Sequence, residues 1–273
     1  MLTDAEFVLI AREFKARTGG TLAKDMSGAA EIRLQPLARR EGFASVNELI
    51  GAARIRPDGR LWQQISDYLL HSETRFFRDK AQFQKLREEL LPAAAVRKGG
   101  ERVRIWSAAC STGQEPYSAA MLIEAMRQEG QPITAEIIAT DISERLIEKA
   151  RAGLYSQFEV QRGLPIRSLI KHFEKAGDLW RIEDRLRASV KFEQHNLTRH
   201  PGHLGRVDIV LLLHVLPHLE EDAQLATILH AADALAPGGA IVLGASESLP
   251  AGADGLICSG GIVTRAIAAS VAA

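Results

Sequence analysis

The sequence predicts a mostly parallel, doubly wound α/β sheet preceded by a helical region. Three observations predict it. From Arg102 onward, short apolar runs alternate with amphipathic helical segments, the rhythm of strands joined by helical crossovers. One run, "VDIVLLLHVL" at 207–216, is almost continuously apolar, as a strand buried on both faces must be. Before Arg102 the spacing is helical, with no period-two pattern.

The N-terminal elements follow in order. Thr3-Asp4 can cap a helix that puts Phe7, Ile10, Ala11 and Phe14 on one face, and Gly19-Gly20 stop it. "AEIRLQPLARREGF" is a second helical piece interrupted by Pro36, and "SVNELIGAAR" a third with Ser45 as its cap. "GRLWQQISDYLLHSETRFF" is a fourth. Residues 1–75 therefore read as a small helical domain with a connecting helix, and 76–273 as a second domain.

In the second domain "VRIWSAA" is a strand ending in small residues, and "SAAMLIEAMRQEG" a helix closed by Gly130. "AEIIATDIS" is a strand ending in an acid, and "SERLIEKARAGLY" a helix capped by Ser143. After "VDIVLLLHVL", the segment "EEDAQLATILHAADALAPGGAIVLGAS" reads helix, Pro-Gly-Gly turn, strand. Residues 171–196 break the rhythm. Period-two pieces around "DLWRIED" and "SVKFEQ" predict a small β insertion there. The C-terminal tail is Ala-rich.

Composition narrows the function. The chain has 273 residues, 46% hydrophobic and 25% charged, enough for a sizeable core. Its net charge of +0 gives no global field for nucleic acid or an anionic membrane. Cys110 and Cys258, far apart, form neither a disulfide framework nor a metal cluster. The first twenty residues mix acids and bases into their apolar pattern, unlike a signal peptide. No uncharged apolar stretch of about 18 residues exists to span a bilayer. The expectation is a cytoplasmic protein with no nucleic-acid partner and no membrane insertion.

"IWSAACSTGQEPYS" at 105–118 joins the first strand to a helix through Ala108, Ala109, Ser111 and Gly113, which let a ligand approach the backbone. In such sheets ligands bind at the carboxyl ends of the strands. Glu115, just inside the helix, would repel a phosphate and suits a cationic ligand. The turn lacks G-x-G-x-x-G, against a dinucleotide. Asp141, at the end of the second strand, is placed to accept hydrogen bonds from ribose hydroxyls; its alternative use is as a helix cap, which Ser143 can supply instead.

At this point the chain resembles a known family, the CheR-type chemoreceptor methyltransferases. The resemblance is carried by "TRFFRD" at 74–79, "WSAACSTGQEPYS" at 106–118, "ATDIS" at 139–143 and "LIEKARAGLY" at 146–155. "FEQHNL" at 192–197 and "APGGAIVLGASESL" at 236–249 complete it. It implies a Rossmann-like, S-adenosylmethionine-dependent methyltransferase fold. It implies S-adenosyl-L-methionine as cofactor, S-adenosyl-L-homocysteine as product, glutamate methyl esters on the cytoplasmic domains of bacterial chemoreceptors, and a monomer. Family positions for the cofactor fall on Thr74, Arg78, Glu115, Asp141, Asn196 and Leu197. Ser72 stands where the family often has Asn. Arg78 is the residue expected to matter most for the reaction, its guanidinium holding a carboxylate bidentately. The alternative for Arg78 is a surface pair with Asp79, and for Asn196 a turn.

One stretch departs from the family pattern. Where the family reads like "RNVLIYF", this chain has "LLHVLPHLEE" at 212–221. Leu213 replaces the Arg, His214 the Asn and His218 the Tyr. Leu213 can line the pocket only through its backbone, and His214 donates one hydrogen bond where Asn donates two. His218 is expected to substitute for the phenol as a catalytic group whose charge depends on pH; its alternative use is as a solvent-facing helix-start residue after Pro217. Two rival readings follow: a methyltransferase acting on another protein, and a cofactor-binding signalling module without turnover.

Overall fold

The computed structural model describes residues 2–56, 59–131 and 133–266. The chain divides into two compact units, one holding the residues up to His71 with Pro217–Gln224, the other Ser72–Leu216 and the residues from Leu225 onward.

The first unit is helical. Its elements are α1 (Asp4–Thr18), α2 (Ser27–Arg40), α3 (Val46–Ile55) and α4 (Arg60–Leu69). Thr3 caps α1 through a reciprocal pair with Glu6, and Gly19 ends it at φ 70°. Ser45 caps α3 as expected, accepting from the Glu48 N–H. Ile10, Leu34, Leu49 and Ile65 bury one apolar stripe from each helix in a common core. Pro36 does not interrupt α2. The carbonyl it leaves without its helical donor belongs to Ile32, whose own side chain is exposed. The fourth helix is shorter than the sequence predicts. It stops at Leu69, and His71–Arg75 are irregular.

The second unit opens with α5 (Lys80–Lys85) and α6 (Leu91–Lys98), continuous through a π-helical turn at Leu86–Leu90. Then come β1 (Val103–Ala108), α7 (Gln114–Gln128), β2 (Ala135–Asp141), α8 (Glu144–Ala152), β3 (Leu154–Ser156), α9 (Gln157–Gln161) and α10 (Ile166–His172). They are followed by β4 (Phe173–Ala176), β5 (Leu179–Ile182), α11 (Asp184–Ala188), β6 (Val190–Gln194), β7 (Val207–Leu212), α12 (Glu221–Ala234), β8 (Leu235–Leu243), β9 (Leu256–Ser259) and β10 (Ile262–Arg265).

Among the described residues the main sheet has seven strands in the order β6-β2-β1-β7-β8-β10-β9. From β6 to β8 all pairs are parallel, and β10 runs antiparallel to β8 and β9. The chain leaves β1 toward β2 and β6, then returns to β7 on the other side of β1. That reversal opens a crevice at the carboxyl ends of β1, β2 and β7. Every residue of β7 is buried, which is why its sequence does not alternate.

Four differences from the sequence expectation have local causes. Gly153, at φ 61°, ends α8, so Leu154-Tyr155-Ser156 form a strand and not a last helical turn. The small sheet is therefore β3-β5-β4, from Leu154 to Ile182. "SVKFEQ" is not part of it, because Val190–Gln194 pair in parallel with Ile137–Asp141 at the edge of the main sheet. Alternation announces a strand, not its partner. The Pro-Gly-Gly run is not a separate turn; it is the irregular start of β8, where the register with β7 shifts. The hairpin β9–β10 is an addition that the sequence reading lacked, and the Ala-rich tail lies outside the described residues from 267 on.

Candidate active site

Among the described residues, four non-glycine residues hold a left-handed backbone: Ala109 at φ 58°, Ser111 at 51°, His214 at 59° and Phe77 at 49°. Each such residue costs of order 1–3 kcal/mol and persists only where its surroundings over-determine it. Ala109 and Ser111 follow β1, His214 follows β7, and Phe77 belongs to "TRFFRD".

The turn after β1 is held from three sides. The Cys110 N–H donates to the Thr140 carbonyl at 2.8 Å. The Ser111 N–H donates to Asp141 Oδ2 at 2.8 Å, and the Ser111 hydroxyl to the Ser72 carbonyl at 2.9 Å. The Tyr155 hydroxyl reaches the Thr112 carbonyl at 2.7 Å. Burial pushes the Cys110 thiol well above its ordinary value, with the charges of Asp141 and Glu115 adding to the effect. Cys110 is thus an inert core residue.

Asp141 lies at the carboxyl end of β2 as expected, and it is buried. Its second oxygen accepts from the Ser143 N–H at 3.0 Å. Ser143 caps α8 itself, accepting from Leu146 N. The carboxylate is therefore fixed by two backbone donors at once.

Glu115 sits in the first turn of α7, where the helix dipole favours an acid. Its Oε1 accepts from the Ser107 hydroxyl at 2.7 Å. It is partly open to solvent by area yet surrounded by protein, and burial raises its pKa to about 7; the Ser107 bond opposes that, Glu247 adds to it, and Arg78 opposes it.

The "TRFFRD" segment is anchored by its first phenylalanine. Phe76 is fully buried and meets Tyr155 and Phe173 edge to face, at 5.1 and 5.6 Å between centroids. A Cβ on Gly163 would lie 2.1 Å from the Phe76 carbonyl oxygen, so that glycine is required for the chain to pass. The Phe77 N–H donates to Ser118 Oγ on α7 at 3.0 Å. Arg78 follows, half-buried, with Nη1 on the Glu73 carbonyl at 2.9 Å. Asp79 turns elsewhere: it caps α5 at Gln82, accepts the Ala245 N–H at 2.9 Å and lies 3.4 Å from His214 Nε2.

The remaining expected residues fall as follows. Ser72 and Thr74 are half-buried in the irregular segment before Phe76. Asn196 uses its Oδ1 to accept from the Thr198 N–H and hydroxyl, at 3.0 and 2.9 Å, so its carbonyl builds a turn. Leu197 is buried, and its carbonyl accepts from His230 Nδ1. Leu213 is buried in the apolar core of the second unit. His218 belongs to the first unit, stacked on His71 with ring centroids 3.9 Å apart. Its carbonyl accepts the Thr21 N–H.

Three contributors were not singled out in the sequence: Ser107, Asp79 and Glu247. Glu247 accepts from the Gly244, His214 and Leu216 N–H groups at 2.6, 2.7 and 3.2 Å. Asp79 and Glu247 both lie inside the quoted motifs "TRFFRD" and "GASESL". The available signals were a helix-start position for Asp79, before α5, and a position after the end of β8 for Glu247. Among the described residues no cluster of His, Cys, Asp and Glu could hold a metal ion, and no helix is long and apolar enough to cross a membrane.

Comparison with known proteins agrees with this geometry. Residues 72–261 match the family model described as "CheR methyltransferase, SAM binding domain". The chain is 34% identical over 255 residues to chemotaxis protein methyltransferase Cher2 of Pseudomonas putida, covering 91% of this chain and 93% of that protein. It is 34% identical over 271 residues to chemotaxis protein methyltransferase 1 of Pseudomonas aeruginosa, covering 96% and 98%. It is also 34% identical over 251 residues to chemotaxis protein methyltransferase 1 of Vibrio cholerae, covering 91% and 90%. By this match over most of its length, the chain belongs to the CheR family of S-adenosylmethionine-dependent methyltransferases.

Proposed function

We propose that the chain esterifies glutamate side chains on the cytoplasmic domains of bacterial chemoreceptors, as a monomer acting in the cytoplasm. The residues present fit S-adenosylmethionine. Glu115 offers a carboxylate to an ammonium group, Asp141 offers two fixed acceptors to ribose hydroxyls, and Asn196, Leu197 and Ser72 line the adenosyl end. When bound, S-adenosylmethionine supplies a methyl group on a sulfonium, an electrophile that needs no metal.

The acceptor glutamate is already ionised at neutral pH, so the chain has no proton to remove. Its work is positioning and desolvation. Arg78 holds the acceptor carboxylate by its planar fork. Its neighbour Phe77 is bound through its N–H to Ser118 Oγ on α7, the helix whose first turn holds Glu115, and that juxtaposition is the single observation that carries the reading. It puts a carboxylate-binding cation beside the cationic ligand's own acid. Thr74 supports the same segment. His214 and Leu213 close the pocket at the end of β7, and the resemblance carries the family's tyrosine position to His218.

Membranes bearing chemoreceptors, incubated with radiolabelled S-adenosylmethionine and this chain, should acquire label that is released as methanol by mild base. Label that resists base, or that appears on other proteins only, would replace the substrate and keep the enzyme. Cofactor binding without any transfer would favour the signalling-module reading, which the loss of the family's Arg at Leu213 supports.

A further inference from the structure

Two features at the ends of β7 and β8 go unused by the roles above. The Glu247 carboxylate collects three backbone donors, from Gly244, His214 and Leu216. Bonds of this kind are stronger than neutral ones, and three on one carboxylate outweigh the strain of the loop they hold. The strain is visible, since His214 lies at φ 59°. The fit is tight: a Cβ on Gly244 would lie 2.7 Å from Glu247 Oε2 and 2.9 Å from His214 Cε1. The second feature is a neighbourhood. Ser107, which donates to Glu115, pairs with Leu211 of β7, and Leu211 pairs with Val242 of β8, so Glu115 and Glu247 stand at the carboxyl ends of adjacent strands. The groups that act on the Glu115 charge there are Glu247 and Arg78, with Cys110 as the titratable neighbour on the preceding turn.

We propose that Glu247 is a positioning residue of the methyl-transfer site: it clasps the chain ends of β7 and β8 together, and its charge sets how strongly Glu115 holds the ligand's ammonium group. The inference rests on the assignment of Glu115 to that ammonium. Glu247 does not touch the reacting atoms. It acts through His214 and Glu115. Its negative charge disfavours a second charge on Glu115, so Glu115 ionises only at higher pH while Glu247 is present.

The test uses the full chain with S-adenosylhomocysteine, which keeps the ammonium group, titrated calorimetrically from pH 5.5 to 8.5. The parent should bind more tightly as pH rises, with a midpoint set by Glu115. Glu247→Gln, which removes the charge, should bind about tenfold or more weakly at pH 8 and shift the midpoint to lower pH. Glu247→Asp, which keeps the charge but shortens the reach, should lose affinity with its midpoint in place. In a Glu115→Gln background both variants should show no midpoint. A purely structural Glu247 would weaken binding at every pH and leave the midpoint of Glu247→Gln where it was, and that result overturns the inference. If Glu247→Gln fails to fold, Glu247→Asp with the parent's affinity overturns it equally. A parent that binds with no pH dependence removes this inference and leaves the methyltransferase reading standing. A parent that does not bind at all removes both.

Discussion

His214 Nε2 lies 3.4 Å from Asp79 Oδ2, the same oxygen that accepts the Ala245 N–H at 2.9 Å. One side chain of "TRFFRD" thereby ties three segments together: its own, the end of β7 and the end of β8. It also frees Arg78 from the local pairing that its neighbour in sequence invites. Among the described residues, the Arg78 guanidinium donates through Nη1 to the Glu73 carbonyl.

Asp79→Ala should therefore do more than remove a helix cap. It deletes the cap at Gln82, the Ala245 bond and the His214 pair. Unfolding stability should fall by about 1–3 kcal/mol, and turnover should fall with it. Asp79→Asn, an equally good cap, should recover much of the stability but not the turnover. Urea titration alongside methyl transfer separates the two. An Asn variant with full turnover would remove the His214 pair from the mechanism.

The Glu115 carboxyl, raised to about 7 from 4.5, gives a signed pH prediction. A raised acid contributes nothing unfavourable below its unfolded value. Stability is lost as pH rises from 4.5 toward 7, because the unfolded chain ionises first, and the loss is constant above 7. Glu115→Gln keeps an acceptor for Ser107 and removes the penalty. At pH 8 the variant should be more stable than the parent by about 1–3 kcal/mol, and at pH 4 nearly equal. It should also bind S-adenosylhomocysteine far more weakly at pH 8. Melts at the two pH values decide the first point and calorimetry the second.

Arg78→Lys should lower turnover much more than it weakens cofactor binding, because an ammonium cannot reproduce the planar fork. Unchanged turnover would remove Arg78 from the chemical step. Lost cofactor binding would move it from the acceptor to the cofactor pocket.

Much of this architecture was legible in the sequence, and the limits have physical causes. The run 207–213, apolar but for Asp208, reads as a central strand, and the helices around it followed from their caps. The small sheet was misplaced because a period of two reports burial of one face, which β6 and β5 share while sitting in different sheets. Glu115 and Asp141 were legible because a strand's carboxyl end is where ligands meet this fold. The ties that Asp79 and Glu247 make between segments were not, because Ala245 for the one, and His214 and Leu216 for the other, offer backbone N–H groups far away in sequence. No residue pattern encodes such partners. His218 was placed by alignment with a family motif, but its ring stacks on His71, a relationship that local sequence does not carry.

Asp141 is a double-purpose residue, and its variants should show it. Asp141→Ala leaves the Ser111 and Ser143 N–H groups without their acceptor, costing about 1–3 kcal/mol of stability, and should weaken cofactor binding about ten- to a hundredfold. Asp141→Asn keeps one acceptor oxygen and should lie between. An alanine variant that melts early yet binds as tightly as the parent would confine Asp141 to holding the turn.

The last prediction concerns "LLHVLPHLEE". An imidazole and a phenol can both donate a hydrogen bond to a carboxylate, but only the imidazole ordinarily titrates between about pH 5 and 8. If His218 replaces the family's tyrosine, methyl transfer by the parent changes with an apparent pKa in that range, and His218→Tyr retains activity while flattening the profile. The stack on His71 offers a control. His71→Ala frees the ring without changing its chemistry, so the pH dependence should survive with a shifted midpoint. Robust transfer with a flat profile in the parent would end the catalytic role of His218 and leave the enzyme assignment intact. Should the parent show no transfer, the combination Leu213→Arg, His214→Asn and His218→Tyr is the decisive variant. Leu213 is buried in the apolar core, so the new guanidinium must reach the crevice to be tolerated. A folded triple variant that gains transfer would identify these positions as the site of lost catalysis. A folded one that stays silent on receptors from its own source would count against the chemoreceptor substrate itself.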